Sequence, residues 1–514
     1  MCADSRRVET TLGQWLNARR RTREGEAIFR QAIDCYRQWH PSSSAHIDIR
    51  PDQAKLWFLY GDLLEYCQRP GEAREAFAQA ATFHEQLAKD FPGERFWPQQ
   101  LAIVHHKLGF ASHVCGRLAD TEQYYRKSLE ERQGLATQFP TNLNLQEEKT
   151  HALRILALCL PSDRWEEARK WLSQALEICE DLKRRDPLNP IYYALYADTP
   201  RRIADTLAAG HRISEAEDAY QTALTRYEQA PTDMLTKHYL RNEWRDCVAN
   251  YTDVLRKSGR ASRADAVERQ AWSVLEQRLT DLVRERPNDA GAWLVRGQWY
   301  ARRQQWERAA GDMTRAVELN PSDTDIWLEY AAVLLLAGKT DDWRKFCCLR
   351  LKEAGSLPDG DGPQTPFQIA RLCSLQKGAC GEPDRIIKLA QSAENLSAAP
   401  WYKHGVALAY YSAGQFDESR KCAERLLKDL YWGGKPLNQL VLALACHRLG
   451  RFAEARKWLE KTIPAWPEGT RSDLHIHDWL EGEILLREAR TTGLLKTIAV
   501  PANGKDITHK DANH

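Results

Sequence analysis

Apolar side chains recur along this chain at helical spacing. Ala73, Phe77, Ala80, His84 and Leu87, for example, follow the i, i+4, i+7 pattern of one buried helix face. Alternation with a period of two, which would indicate strands, is not sustained anywhere in the sequence. The pattern therefore predicts an all-α fold.

The helical pattern also repeats at a nearly constant interval. A small residue ends each of six similar segments, at Ala32, Ala80, Ser128, Ala175, Ala223 and Ala271. These anchor residues are 48, 48, 47, 48 and 48 positions apart. Self-similarity at a fixed period is the mark of a solenoid, in which each unit packs only on its neighbours.

Several of the long units carry the same internal pattern of small and large residues. An aromatic residue stands three positions before the anchor at Phe29, Phe77, Tyr125 and Tyr220, and a small residue lies earlier in the unit at Gly13, Gly61, Gly109 and Ala204. Small residues let two antiparallel helices approach, and the aromatic ring fills the gap between them. Proline closes the second helix at Pro92, Pro140 and Pro187 because it cannot continue the hydrogen-bond ladder.

The period shortens after about residue 288. Seven residues there have the spacing W-x3-G-x2-Y-x8-A-x3-[large]-x2-A-x4-P, namely Trp293, Gly297, Tyr300, Ala309, Met313, Ala316 and Pro321. This spacing resembles the 34-residue tetratricopeptide repeat. Trp327 opens the next unit 34 residues later, and two further units follow around 407–419 and 443–459.

The resemblance implies a tetratricopeptide-type α-solenoid of antiparallel helix pairs that form a right-handed superhelix. We expect a long-period array over 1–285, a standard pair of repeats over 286–357, and a loop with a degenerate repeat over 358–400. A C-terminal pair with a capping helix should occupy 401–490, since the last repeat would otherwise expose its apolar face. We expect a disordered tail over 491–514.

In the tetratricopeptide family, the first helices of successive repeats line a concave groove that holds a peptide or a partner protein. Projecting that arrangement onto this chain gives candidate partner-binding residues of mixed charge, which suit a peptide of alternating character. These candidates are Phe58, Asp62, Glu65, His106, His113, Arg201, Asp205, Asp253, Arg256, Gln298 and Arg302. The chain is therefore expected to be a scaffold or adaptor that binds a protein or peptide.

An alternative function comes from the same resemblance. The repeats are similar in style to the tetratricopeptide regions of large bacterial signalling proteins, which often accompany a serine/threonine kinase. That similarity would make the chain a regulatory or substrate-docking arm of a bacterial kinase system. Self-association also remains open.

Motifs for catalysis or cofactor binding do not occur in the sequence. It has neither a G-x-x-x-x-G-K-[ST] phosphate loop nor the His-Arg-Asp and Asp-Phe-Gly motifs of kinases. His475, His477 and Asp478 are suitable metal ligands, but further ligands do not stand nearby, so we interpret this segment as a polar linker. We expect no enzyme activity, no cofactor and no metal site.

Composition narrows the partners further. The 73 basic and 71 acidic residues leave a formal charge of +2, which does not favour binding to nucleic acid or to a membrane surface. Neither a run of about 20 apolar residues nor an apolar leader is present. The 13 cysteines are scattered among apolar positions, as expected in a reducing compartment. We therefore expect a cytoplasmic protein.

Overall fold

The computed structural model describes residues 21–38, 48–354, 362–427, 434–466 and 474–497, together with residues 13 and 16. Over these residues the chain forms 22 α-helices and no strand, which confirms the all-α prediction. Within the same ranges, none of the helices is long and apolar enough to cross a membrane.

The long-period region consists of helix pairs in which even-numbered helices come first and odd-numbered helices second. Its described helices are α1 (Thr22–Arg37), α2 (Arg50–Tyr66), α3 (Pro70–Asp90), α4 (Phe96–Val114), α5 (Leu118–Gln138), α6 (Leu143–Cys159), α7 (Trp165–Arg185), α8 (Pro190–Ala209), α9 (Ile213–Glu228), α10 (His238–Lys257) and α11 (Ala261–Glu285).

The short-period region continues the alternation and adds one final helix. Its helices are α12 (Ala290–Arg302), α13 (Trp306–Leu319), α14 (Thr324–Leu336), α15 (Thr340–Glu353), α16 (Gln364–Ser374), α17 (Pro383–Leu396), α18 (Pro400–Ser412), α19 (Phe416–Leu426), α20 (Lys435–Arg448), α21 (Phe452–Thr462) and α22 (Ile476–Thr491). The segment predicted as a loop with a degenerate repeat thus contains the helix pair α16 and α17. A short 3-10 helix, Leu494–Thr497, follows α22, and the rest of the predicted tail lies outside the described residues.

Helix length explains the two periods. α3, α5 and α7 have 21 residues each, whereas α13 and α15 have 14. The long helices end where the sequence predicts: α3 at Asp90, α5 at Gln138 and α7 at Arg185, each two residues before a proline. The first helices α2, α4, α6 and α8 have 17–20 residues, whereas α12 and α14 have 13. The 48-residue period is therefore a helix pair in which the second helix is longer by about two turns and the first by about one to two turns.

The small and aromatic positions of each long unit meet as predicted. A Cβ atom added to Gly61 would lie 2.5 Å from the ring of Phe77, and one added to Gly109 would lie 2.6 Å from the ring of Tyr125. Phe77 is fully buried. Glycine is required at these positions because the ring occupies the space that any larger side chain would need.

α8 contains a proline, and an arginine of the next helix replaces the hydrogen bond that this proline cannot donate. Pro200 lacks an N–H, so the carbonyl oxygen of Tyr196, four residues earlier, receives no helical hydrogen bond. Arg226 of α9 donates to that carbonyl oxygen from Nη1 at 2.8 Å, and its guanidinium carbon stacks 3.8 Å above the Tyr196 ring. The neighbouring helix thus satisfies the acceptor that the proline leaves open.

The beginning of the described chain packs against its C-terminal third. Thr22 and Ser397 are both fully buried, and their hydroxyl oxygens lie 3.1 Å apart. The Thr22 hydroxyl also accepts from the backbone N–H of Ala398 at 2.8 Å, and Tyr66 of α2 meets the ring of Trp401 edge to face at 4.9 Å. The solenoid therefore closes on itself between its first and later units.

The final helix does more than cover the last repeat. α22 packs against α20, as a cap would, but it also packs against α14, three repeats earlier. Trp479, Leu480, Leu485 and Ala489 are all buried, and they cover more than one face of the helix. α22 thus lies across the first helices of the short-period region rather than only over its end.

Candidate functional site

The first helices of the short-period region are bridged by buried polar contacts to α22. Arg371 of α16 donates to Asp478 from Nη2 and to Glu481 from Nε, both at 2.6 Å. His404 Nε2 of α18 lies 2.7 Å from the other oxygen of Glu481. Burial raises the pKa of the Asp478 carboxyl, but Arg371 and His477 outweigh it and hold that pKa at about 2.

Two candidate residues of this region are occupied by contacts within the chain. Arg302 donates to the carbonyl oxygen of Leu474 at 3.0 Å, and its guanidinium lies 5.5 Å from the ring of Trp479. Gln298 donates to Glu329 at 2.8 Å and accepts from Arg241 at 3.2 Å. The first helices of the short-period region therefore bind the chain's own terminal helix, at the position where the family resemblance predicts a partner.

A second polar cluster lies on α6, α8 and α10 of the long-period region. Asp198 is fully buried and accepts from Arg154, from Arg201 Nε at 2.5 Å and from Arg202 Nε at 2.6 Å. Tyr227 also donates to it at 3.1 Å. Burial raises the pKa of Asp198, but the three guanidiniums outweigh that effect and lower it below its usual range.

The candidates Arg201 and Asp205 belong to this cluster. Arg201 Nη1 donates to Asp205 at 2.8 Å, and Asp205 also accepts from Tyr220 at 2.5 Å and Asn250 at 3.0 Å. Asp205 thus holds α8 against α9 and α10, while Arg201 bonds to two carboxylates of its own helix.

The remaining candidates divide between internal pairs and open surface. Lys107 Nζ of α4 lies 2.9 Å from Asp62 and 3.2 Å from Glu65, which joins α2 to α4. Arg256 bonds to Asp265 and Glu268 on α11 at 3.0 and 2.8 Å. The last four candidates are Phe58, packed on the ring of Phe77, half-buried His106, and exposed His113 and Asp253.

Three arginines and a histidine lie on neighbouring helices from α4 to α8. We name this set the basic face: His106 on α4, Arg132 on α5, Arg154 on α6 and Arg202 on α8. Burial lowers the pKa of His106 to about 4, so its imidazole is uncharged near neutral pH. Arg132 and Arg154 are buried, and their Nε atoms have no hydrogen-bond acceptor among the described residues. Burial lowers the pKa of Arg202, and the nearby guanidiniums of Arg154 and Arg201 lower it further, whereas the Asp198 carboxylate raises it.

Acidic groups also lie near the basic face. Glu147 and Glu148 lie on α6, and Glu243 approaches from α10. Burial and Asp198 raise the pKa of Glu243 to about 8, so that carboxyl is largely protonated near neutral pH.

Sequence reasoning missed Lys107, Arg154, Asp198 and Arg202 as parts of these clusters. The spacing of Asp198, Arg201 and Arg202, three and four residues apart on one helix, is the signal that could have suggested a shared contact. The partner Arg154 lies 44 residues away on another helix, so only the packing of α6 on α8 reveals it.

Within the described ranges, no group of three His, Cys, Asp or Glu side chains is arranged to hold a metal ion. His475 and His477 stack on one another at 5.4 Å, and His477 Nε2 lies 3.4 Å from Asp478. Asp478 is already bound to Arg371, so these residues attach α22 to its neighbours.

Comparison with known proteins identifies the repeat type. Residues 290–333 and 407–470 each match a family model described as tetratricopeptide repeat. The chain contains tetratricopeptide repeats. The first match covers α12, α13 and most of α14, where the Trp293 spacing predicts a repeat, and the second covers the end of α18 and all of α19 to α21. No curated protein matches the chain.

Two solved structures show a weak likeness in helical architecture. The crystal structure of yeast Tom70 has 10% sequence identity and a TM-score of 0.32, and the match covers 97% of this chain and 98% of that one. The crystal structure of the apo form of RapI has 12% identity and a TM-score of 0.36, with 62% of this chain and 98% of that one covered.

Proposed function

We propose that the chain is a non-catalytic scaffold that binds a peptide or partner protein on the first helices of its long-period region. Tetratricopeptide repeats support an interaction role in general. One observation supports the long-period region as the binding surface. α22 fills the first-helix side of the short-period repeats through Glu481 and Trp479. The basic face on α4 to α8 is the corresponding surface that no helix of the described chain crosses in this way.

The proposed partner contributes an acidic group to the basic face. Arg202 is held to Asp198 through Nε, and its side chain retains 21% exposure. A partner carboxylate there would gain charge-assisted hydrogen bonds from the Arg202 guanidinium. Arg201 and Asp205, by contrast, serve the fold.

The proposed function is tested by capture with the intact chain. The bait is compared with a His106→Ala, Arg202→Ala variant and with a control, Arg169→Ala, whose arginine is exposed on the second helix α7. Circular dichroism first establishes that all three fold. We expect the face variant to lose at least about tenfold of a captured protein that the control retains. Equal capture by all three baits would refute binding on the basic face.

The alternative, a docking arm of a bacterial serine/threonine kinase system, rests on the style of the repeats, and no contact in the structure favours it. A cytoplasmic location likewise remains our proposal. If the captured partner proved to be a kinase whose activity depends on the basic face, the alternative would replace the general scaffold.

A further inference from the structure

A cavity of about 440 Å³ lies beside the C-terminal half of α22. The ends of α14, α16 and α18 form its walls, together with the start of α19 and residues of α20 and α22. Its volume falls within the range of small-molecule sites, which is roughly 300–1,000 Å³. The cavity is separate from the basic face, so binding there would be independent of the proposed function.

The floor of the cavity is apolar. Leu335, Leu336, Leu375 and Ile484 are all at most 8% exposed, and the half-buried ring of Phe416 completes the lining. Small-ligand sites combine such a floor with a few charged or polar groups that fix orientation. Transfer of an apolar group of several carbon atoms from water into this cavity would therefore be favourable in free energy.

The rim of the cavity is cationic. It is lined by three cationic side chains, Lys377, Arg448 and Arg487, and by one carboxylate, Glu488. The formal charge of the lining is therefore +2. Arg448 and Tyr411 both donate to Oε1 of Glu488, at 2.8 and 2.6 Å, so this acid is already bonded.

Arg487 is bonded to neutral acceptors. Its Nη groups donate to the backbone carbonyl oxygens of Leu335 at 3.4 Å and Leu336 at 3.0 Å, so its charge is not matched by a directly bonded carboxylate. Glu483, one turn earlier on α22, accepts instead from Trp466 at 3.0 Å and does not line the cavity. A positive rim above an apolar floor complements a ligand with one anionic end.

We propose that this cavity binds a small amphipathic anion, a carboxylate attached to an apolar body. The carboxylate would lie near Arg487 and Lys377, and the apolar body would cover Leu375, Phe416 and Ile484. Two sources provide this chemistry: a free medium-chain acid, or the C-terminal residue of a peptide that ends in an apolar side chain.

The test is isothermal titration calorimetry of the full chain with two pairs of probes. The first pair is decanoate and its uncharged amide, and the second is the peptide acetyl-Ala-Ala-Leu with a free or an amidated C-terminus. We expect one or both carboxylates to bind and the matched amide to bind at least about tenfold more weakly. The tighter carboxylate identifies the source.

Variants locate the binding. Lys377→Gln with Arg487→Gln should weaken the carboxylate by at least about tenfold, whereas Arg490→Gln, three residues farther along α22 and outside the cavity, should not. Ser412→Trp fills the cavity from its lining and should abolish binding without removing a charge. Failure of both carboxylates to bind, or binding that none of these variants weakens, would overturn the proposal.

Discussion

Arg371 and Glu481 are 110 residues apart in the chain, yet Nε of the first lies 2.6 Å from Oε2 of the second, and both side chains are buried. His404 approaches the other carboxylate oxygen at 2.7 Å. The terminal helix is therefore held by a specific polar contact as well as by apolar packing. This contact holds α22 against the first helices α16 and α18 of the short-period region.

Removing the Glu481 carboxylate should loosen α22. Glu481→Ala leaves Arg371 and His404 buried with one acceptor fewer, and breaking a buried ion pair from one side costs about 3–5 kcal/mol. Amide hydrogen exchange in α22 should accelerate accordingly. Glu460→Ala, on the exposed surface of α21, is the control and should leave the exchange unchanged. Unchanged exchange in both variants would show that apolar packing alone holds α22.

Asp198 and Arg202 should respond very differently to substitution. Asp198→Asn removes the shared counter-charge of three guanidiniums, of which those of Arg154 and Arg201 are buried, and should lower the free energy of unfolding by about 3–5 kcal/mol. Arg202→Gln removes one of three mutually repelling cations and should change it by less than about 1 kcal/mol. Urea denaturation followed by circular dichroism measures both. Similar losses in the two variants would contradict a central role of Asp198 in this cluster.

Gly61 should not accept a methyl group. Gly61→Ala places a Cβ 2.5 Å from the buried Phe77 ring, and overpacking of this kind costs about 1–3 kcal/mol. Gly71→Ala is the matched control, because no atom lies within 4 Å of the added Cβ. It should be neutral or slightly stabilising in the same denaturation experiment. The smaller side chain of Phe77→Leu should restore part of the loss in a double variant, and no loss in Gly61→Ala would rule out the close approach.

Glu329 should make stability depend on pH. Burial raises the pKa of its carboxyl to about 7, against an ordinary value of 4.5. The folded chain thus holds this proton more tightly than the unfolded chain, and stability falls as pH rises from about 4.5 through 7. Glu329→Gln should remove up to about 3 kcal/mol of this loss at pH 8 while changing little at pH 4. Equal pH profiles of the two proteins between pH 4 and 8 would contradict the shift.

The repeat architecture could be predicted because it depends on the spacing of residues within each unit of the sequence. The distance from Gly61 to Phe77 and the stop at Pro92 recur in successive units, so each unit repeats the same evidence. The spacing around Trp293 likewise identifies the repeat type, and its indole donates to the carbonyl oxygen of Pro287 at 2.8 Å. Trp327 repeats this contact with Pro321 at 3.1 Å.

The candidate site was harder to predict because polar residues on first helices have two uses. Asp62 and Arg201 have the spacing of groove residues, but the structure pairs them with Lys107 and Asp198. A single sequence does not distinguish a pair between neighbouring helices from a surface group. The position of α22 could not be predicted from the sequence either. The contacts of its segment with Arg371 and Arg302 join residues more than one hundred positions apart, and no local pattern marks them.

The most direct test of the account is site-specific photo-crosslinking of the full chain in lysate of its own cells. A benzophenone side chain replaces His113, which is exposed on α4 seven residues beyond His106, and in a second protein it replaces Arg169 on α7. The account predicts that one discrete partner is captured from position 113 and not from position 169. Capture of that partner from position 169 alone would contradict binding on the first helices of the long-period region.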